Sequence, residues 1–341
     1  MKYISDNSKE EVFTYTNLLI FTYIFQQLLP VMRRIKKQYI GLILLLITLV
    51  MITLYHTWGI TGRLASNLDI SKAVSVPRSG SQYPLAPRNT VYMKIPPSPL
   101  FVVIILSSAR NYNLRNTIRT RGWLSKTWLH NGVPVRYTHW FIVGQDPSVD
   151  ISTEIRREED MLVWPGPEHY RSIVYKVAWT LGYLQNQGVP LDFLVKLDDD
   201  SFINLTNLMG LLDTIPMMTS DWLGGECIVG KAVDRTGKYA VSREDYNSTH
   251  YPGYVAGAGY IMSRGMVEKL VKEMWRVPVI PVEDAYVGVL AHLVGVKGMC
   301  LPWFYHFPWD MFVDRVGEAV LLHKLGESDI HVVMELATGS T

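Results

Sequence analysis

The sequence predicts an α/β fold, a mixed and mostly parallel sheet with helices on both faces, preceded by a transmembrane anchor helix. Three observations carry this. Past Pro99, short apolar runs rich in β-branched residues alternate with segments of helical spacing, the pattern of a parallel sheet whose faces are covered. Residues 38–62 contain no Asp, Glu, Lys or Arg around a centre reading YIGLILLLITLVMITLY. No repeat or low-complexity tract interrupts the chain beyond Pro99. With 48% hydrophobic residues the chain can bury a sizeable core, which excludes disorder throughout, and a net charge of +2 argues against a dedicated nucleic-acid binder.

The N-terminal elements follow in order. Residues 1–37 read as a cytoplasmic tail holding a further apolar segment within 11–31, which is broken by Gln26, Gln27 and Pro30 and is either a weaker span or an interfacial stretch. Arg33, Arg34, Lys36 and Lys37 stand directly before residues 38–62. Roughly 20 apolar residues at ~1.5 Å rise cross a bilayer, and basic flanks stay cytoplasmic, so 38–62 is predicted to be a signal-anchor with everything after it lumenal. A cleaved leader fits worse, because the run is long and lacks a small-residue cleavage site. Met32 would make an equally complete start, leaving one membrane segment instead of two. Residues 63–99, with Pro77, Pro84, Pro87, Pro96, Pro97 and Pro99 and a single acid, Asp69, read as an extended stem.

Residues 100–341 are predicted to be the lumenal catalytic domain. Residues 100–107 (LFVVIILS) read as a buried parallel strand, 113–128 as a helix, 138–144 as a second strand, 169–187 as a helix and 191–197 as a third strand. This third strand runs straight into Asp198-Asp199-Asp200, and a further helix is predicted over 202–212. Ligands of open α/β sheets bind outside the carboxyl ends of the strands, which makes the triplet a site candidate. In an extended segment Asp198 and Asp200 share a face while Asp199 points elsewhere. Hard carboxylate ligands of this kind suit Mg²⁺ or Mn²⁺ held jointly with substrate phosphates. Neither an EF-hand spacing nor a phosphate-binding glycine loop is present. A nucleotide-sugar transferase fits these features, whereas a metal-dependent hydrolase would need a histidine-carboxylate constellation that is not found.

From residue 100 to about 333 the chain resembles the β-1,3-galactosyltransferase-type hexosyltransferases, glycosyltransferase family 31, in six landmarks arriving in family order. These are Ser107-Ser108 with Arg115 to Arg119; Tyr170 with Lys176; Lys196-Leu-Asp-Asp-Asp; Lys238-Tyr-Ala-Val-Ser with Tyr251-Pro-Gly-Tyr, which resemble an acceptor-side loop; Gly257-Ala-Gly-Tyr; and Glu283-Asp-Ala-Tyr-Val-Gly. The chain departs from the family where Thr120-Arg121-Gly122-Trp123 replaces an earlier Trp, and where Ser172-Ile-Val stands for Asn-Leu-Thr. The resemblance implies a GT-A-like, Rossmann-related fold. It also implies inverting, metal-dependent transfer of galactose from UDP-galactose to a 3-hydroxyl of a protein or lipid glycan, in the Golgi membrane. N-acetylglucosamine or N-acetylgalactosamine is the alternative donor sugar, and a non-catalytic sugar-binding or chaperone relative is the alternative class.

Roles follow for individual residues. Asp284, near the start of a helix predicted over 285–294, is the expected general base, with Glu283 as runner-up and helix capping as the plain alternative. Asp200 and Asp198 are expected at the Mn²⁺ or Mg²⁺, and His323 resembles a further ligand, against the alternative of a core histidine. Arg119, Lys176, Lys196 and Asp199 are expected substrate contacts, although Lys196 could equally pair with an aspartate of the triplet. Gly257 and Gly259 let backbone approach the donor sugar, or form a β-bulge. The aromatic run from Trp303 to Trp309 could stack on sugars or pack in the core. Asn204 and Asn247 head glycosylation sequons, the first of them close to a strand, and Cys227 and Cys300 are either disulfide-bonded or two free thiols.

Overall fold

The structure, a computed structural model, describes residues 101–214 and 221–339. The predicted tail, apolar segments and stem lie outside the described residues. Among the described residues no helix is long and apolar enough to cross a membrane.

The described chain opens on β1 (Phe101–Ser107), helix α1 (Tyr112–Thr120), a 3₁₀ turn at Trp123–Ser125, and the small ladder of β2 (Leu129–His130) with β3 (Val133–Pro134). Next come β4 (Tyr137–Gln145), α2 (Ser152–Glu158), β5 (Met161–Pro167) and α3 (Ile173–Asn186). Strands β6 (Phe193–Asp198) and β7 (Ser201–Ile203) flank the rest of the acidic triplet, and α4 (Leu205–Thr214) follows. The remainder comprises β8 (Leu223–Ile228), β9 (Tyr254–Ser263), α5 (Arg264–Glu273), α6 (Glu283–Leu293), β10 (Met299–Cys300), β11 (Phe304–Pro308), β12 (Leu321–His323) and α7 (Glu327–Thr338).

Seven strands form one sheet in the order β10-β8-β9-β6-β1-β4-β5. Every pairing is parallel except those of β9, which runs antiparallel to both β6 and β8. The sheet is therefore mixed and mostly parallel, as the alternating pattern predicts. All seven residues of β1 are buried, because it is central and covered on both sides. Val102, Ile104 and Leu106 face one core with Val177 and Leu181 of α3, Leu270 of α5 and Leu290 of α6. Phe101, Val103 and Ile105 face the other, with Ile118 of α1, Leu208 and Leu212 of α4 and Val333 of α7. Each such side chain stabilises the fold by about 1.5–3 kcal/mol on full burial.

Two predicted helices are corrected. The helix expected over 113–128 ends at Thr120, because Gly122 is extended and its Cα lies so close to Ile118 that an added Cβ would come within 2.8 Å of that residue's backbone. The helix expected over 202–212 begins only at Leu205: Phe202 and Ile203 belong to β7, which pairs antiparallel with β12, and the Asn204 side chain accepts a hydrogen bond from the Asn207 amide. That pairing sets His323 opposite Ser201 and so brings a distant segment beside the triplet.

Candidate active site

The carboxyl ends of β1 and β6 and the start of β9 meet at one sheet edge, where Leu106 is in register with Asp198 and Leu197 with Gly259. Asp198 closes β6, and Asp199 and Asp200 form the turn into β7. This turn, not an extended alternation, separates the three acids. Asp199 turns back to the β1 end: its Oδ2 accepts from Asn111 Nδ2 at 2.8 Å and its amide donates to the Leu106 carbonyl at 3.1 Å. Burial pushes its carboxyl above the usual aspartate range.

Asp198 and Asp200 converge instead with His323, and one ligand atom from each lies within 4.8 Å of the others. His323 Nε2 is 3.2 Å from Asp200 Oδ1, and its Nδ1 is 2.8 Å from the His306 carbonyl oxygen. A carbonyl only accepts, so Nδ1 is the donor and Nε2 is the nitrogen presented to Asp200. Burial opposes protonation of this ring, but the Asp200 carboxylate outweighs it and raises the pKa. Two half-buried carboxylates plus an imidazole oriented by a backbone carbonyl form a donor set that fits Mn²⁺ or Mg²⁺.

Lys196 lies behind this cluster. Strand alternation turns it to the same face as Leu194, where it is only 1% exposed. Its Nζ donates to Asp198 Oδ1 at 2.7 Å and to the Gly257 carbonyl, and lies 3.5 Å from Glu283 Oε2. Burial alone would discharge the amine, yet Asp198 and Glu283 overcome it and hold the pKa above the ordinary lysine value. Glu283 is buried and its Oε1 accepts from the Tyr260 hydroxyl at 2.6 Å. Burial drives its carboxyl up to about 7 despite Lys196.

Asp284 is the more accessible of the acidic pair. Its Oδ2 accepts from the Gly257 amide at 2.9 Å and its Oδ1 from the Ala285 amide at 2.8 Å, which fixes the carboxylate at the first turn of α6. Burial raises its pKa, partly offset by Lys196 and these two amides. A side chain at position 257 would lie 3.1 Å from Asp284 Oδ2, so the glycine is what allows this approach. The sheet register also slips here: Gly225 faces Tyr260 while Cys227 faces Val255, a bulge in which Glu226 opposes residues 256–259.

Other sequence-predicted residues lie elsewhere or are otherwise engaged. Arg119 grips Asp160 through Nε and Nη2 at 2.8 Å each and Glu154 through Nη1 at 2.8 Å, so its guanidinium is engaged in an ion-pair network. Lys176 is buried, donating to Glu168 at 2.7 Å and to the Ser107 carbonyl at 2.9 Å; it ties α3 to the end of β1. Lys196 takes the pairing alternative. Gly259 serves packing, since a Cβ would lie 2.2 Å from Leu321 Cδ1. Asn204 is 3% exposed and spends its side-chain oxygen on α4, which leaves no accessible amide for a glycan, whereas Asn247 is exposed. Cys227 and Cys300 form a disulfide. In the aromatic run Phe304 is core and Phe307 is exposed, while Tyr305 stacks on Phe312.

Three sets of contacts have no local signature in the sequence. Tyr170 packs edge-on to Tyr239 at 5.8 Å with the Lys238 ammonium 4.5 Å above its ring, and burial followed by Tyr239 and then Asp284 pushes its hydroxyl pKa up. This aromatic wall therefore stands within electrostatic reach of the acids. Glu226 and His306 form a second contact set, the His306 amide donating to Glu226 Oε2. Asn111 holds Asp199 from a loop with no distinctive spacing. The pairing of Tyr170 with Lys238 across 68 positions has no local signal.

A family model described as galactosyltransferase matches residues 113–302. Beta-1,3-galactosyltransferase 4 of Homo sapiens is 26% identical over 316 residues, covering 78% of this chain and 82% of its own length. Lactosylceramide 1,3-N-acetyl-beta-D-glucosaminyltransferase of Xenopus tropicalis is 25% identical over 208 residues, 58% of this chain and 55% of its own. Among solved structures, a glycosyltransferase involved in the glycosylation of the major capsid of PBCV-1 is similar at 11% identity and a TM-score of 0.40, covering 70% of this chain and 100% of that one. The chain belongs to the galactosyltransferase family and is a glycosyltransferase.

Proposed function

We propose that this glycosyltransferase is an inverting β-1,3-hexosyltransferase that moves galactose from UDP-galactose to the 3-hydroxyl of a glycan acceptor on protein or lipid. The observation that carries the reading is the juxtaposition of Asp198, Asp200 and His323 with the Asp284 segment, joined through the Lys196 ammonium. Asp198, Asp200 and His323 would hold the Mn²⁺ or Mg²⁺. When bound, the cation supplies charge neutralisation for the departing diphosphate, an effect usually worth several kcal/mol.

The chain's own groups do the rest. Asp284 accepts the proton of the acceptor hydroxyl as that oxygen forms its bond to the anomeric carbon. The anomeric bond to UDP breaks on the opposite face, and UDP leaves with the electron pair. The Gly257 and Ala285 amides hold Asp284 in place, and its raised pKa makes it a better base than a free aspartate. Lys196 keeps Asp198 and Glu283 from repelling one another. The basic flank and uncharged run at 33–62 support a single-pass type II anchor with the catalytic domain in the Golgi lumen.

The test is a donor screen of the purified chain with Mn²⁺ and simple sugar acceptors, reading UDP release. Transfer from UDP-galactose is expected. Transfer from UDP-N-acetylglucosamine or UDP-N-acetylgalactosamine alone would replace the donor, and acceptor-independent silence with every donor would favour a non-catalytic relative. Asp284→Asn should keep UDP-sugar binding while losing about 10²–10⁴-fold in transfer. Undiminished transfer by the folded variant would remove Asp284 from the base role.

A further inference from the structure

We propose that Glu226 is a positioning residue for the metal site, acting through the backbone of His306 to fix which nitrogen of His323 faces Asp200. The inference rests on the reading of Asp198, Asp200 and His323 as metal ligands. It comes from a chain of contacts that runs from the second strand of the sheet to the acidic cluster. Glu226 Oε2 accepts from the His306 amide at 2.6 Å. The carbonyl of the same His306 accepts from His323 Nδ1 at 2.8 Å. His323 Nε2 then meets Asp200 at 3.2 Å.

Each link has a reason to be where it is. The register slip between Gly225 and Cys227 gives Glu226 its place opposite the widened stretch of β9. Cys227 is disulfide-bonded to Cys300, and the Leu301 amide donates to the Gly225 carbonyl at 2.8 Å, so β8 and the segment leading into β11 are tied on either side of Glu226. Strand β11 in turn runs parallel to β12, with Phe304 opposite Leu321 and Pro308 opposite His323, and its register shifts in between. His306 lies in that irregular stretch, where regular ladder bonds do not fix the peptide. A carboxylate on its amide supplies the missing constraint, and a charge-assisted bond of this kind is about twice as strong as a neutral one.

The His306 ring is a lesser partner. Its Nδ1 lies 2.7 Å from the same Glu226 oxygen, at ion-pair distance but without hydrogen-bond alignment. The backbone bond is therefore the link that transmits position. Groups that orient a ligating histidine typically contribute 10–100-fold to metal affinity.

The experiment is a Mn²⁺ titration of the purified chain, with the metal alone and no donor, reading free Mn²⁺ by electron paramagnetic resonance. Glu226→Ala is expected to raise the Mn²⁺ Kd about 10–100-fold. Glu226→Gln keeps an oxygen for the His306 amide but gives up the charge assistance, so it should lose clearly less affinity than Glu226→Ala. Glu226→Asp keeps the charge but withdraws the carboxylate by one carbon, so it should weaken binding too; it stands in if Glu226→Ala does not fold. Native affinity in whichever of those two folds, with Asp200→Ala losing Mn²⁺, overturns the clamp and leaves the metal site intact. Glu226→Gln binding as weakly as Glu226→Ala also overturns it, because charge and not the backbone bond would then matter. Asp200→Ala binding Mn²⁺ like the native chain overturns the metal reading and the clamp together.

Discussion

At the carboxyl end of β6, Asp198, Glu283 and Asp284 crowd around the ammonium of Lys196, with Asp200 alongside; between α1 and β4, Glu154 and Asp160 meet the guanidiniums of Arg115 and Arg119. Both clusters are buried networks of acids and cations, yet their charges are resolved differently. Arg115 binds Glu154 through two nitrogens, at 2.8 and 2.6 Å, and Arg119 does the same to Asp160. Burial would raise both carboxyl pKa values, but Arg115 and Arg119 overcome it at Glu154, and His139 together with Arg119 overcomes it at Asp160, so both are lowered. In the first cluster burial wins, and Glu283 and Asp284 are shifted upward. Matched charges make a structural network that is complete within the chain. An excess of carboxylates makes a region that further positive charge would complete.

The largest loss of activity is expected at Asp200. Asp200→Ala should cut UDP-sugar turnover by about a thousandfold and remove metal dependence, with little change in melting temperature, because the residue is half-exposed. Glu154→Gln should do the reverse. It leaves a fully buried Arg115 without its paired charge, at a cost of about 3–5 kcal/mol, or roughly 10 °C in a domain of this size. Metal affinity in the folded variant should hold. A turnover defect from Glu154→Gln without a lower melting point would dissolve the distinction between the two regions.

Acid titration separates the two regions, because they should respond with opposite sign. Glu154 and Asp160 have depressed pKa values in the folded state, so their contribution is present above about pH 4.5 and is lost as pH falls through the depressed values. Glu283 is raised from 4.5 to about 7, so the folded state binds the extra proton and its contribution declines as pH rises from about 4.5 to 7. The groups facing Glu283 are Lys196 of β6, Tyr260 of β9 and, through charge, Asp284 and Asp198. Urea midpoints of the native chain and Glu283→Gln, measured in metal-free buffer, should therefore diverge across this window, the native chain losing ground as pH rises. Parallel curves would mean that the Glu283 pKa is not shifted on folding.

Legibility in the sequence follows the range of the interaction. The central strands and α3 are readable because burial on both faces leaves β-branched runs, and a long apolar helix keeps its period. Short α2 and β5 go unread: seven residues of mixed polarity carry no period, and their places are set by Arg119 and by pairing with β4. The acid triplet and the Glu283-Asp284 pair stand out as local motifs, and their neighbours do not. His323 reaches the triplet only because β12 pairs with β7 across more than a hundred residues, a contact without a local signature. Arg119 is ambiguous for the same reason. Its spacing on α1 is what a ligand contact and an ion pair would share, and only the fold tells that Asp160, forty-one positions away, is its partner.

Arg119 also supplies the smallest of the expected effects. Its planar fork takes both oxygens of Asp160 while the third nitrogen reaches Glu154, and its guanidinium carbon lies 4.7 Å from the centroid of the Phe141 ring. Lysine keeps the charge but cannot bind in bidentate fashion or stack in the same way. Arg119→Lys should therefore cost only about 1 kcal/mol, because a charged hydrogen bond and part of a ring contact are lost while no carboxylate is left without a cation nearby. Melting temperature should drop by about 2–4 °C, and KM for the UDP-sugar should be unchanged. If instead KM rises tenfold with an unchanged melting point, Arg119 touches the donor, and the network at α1 is part of the site.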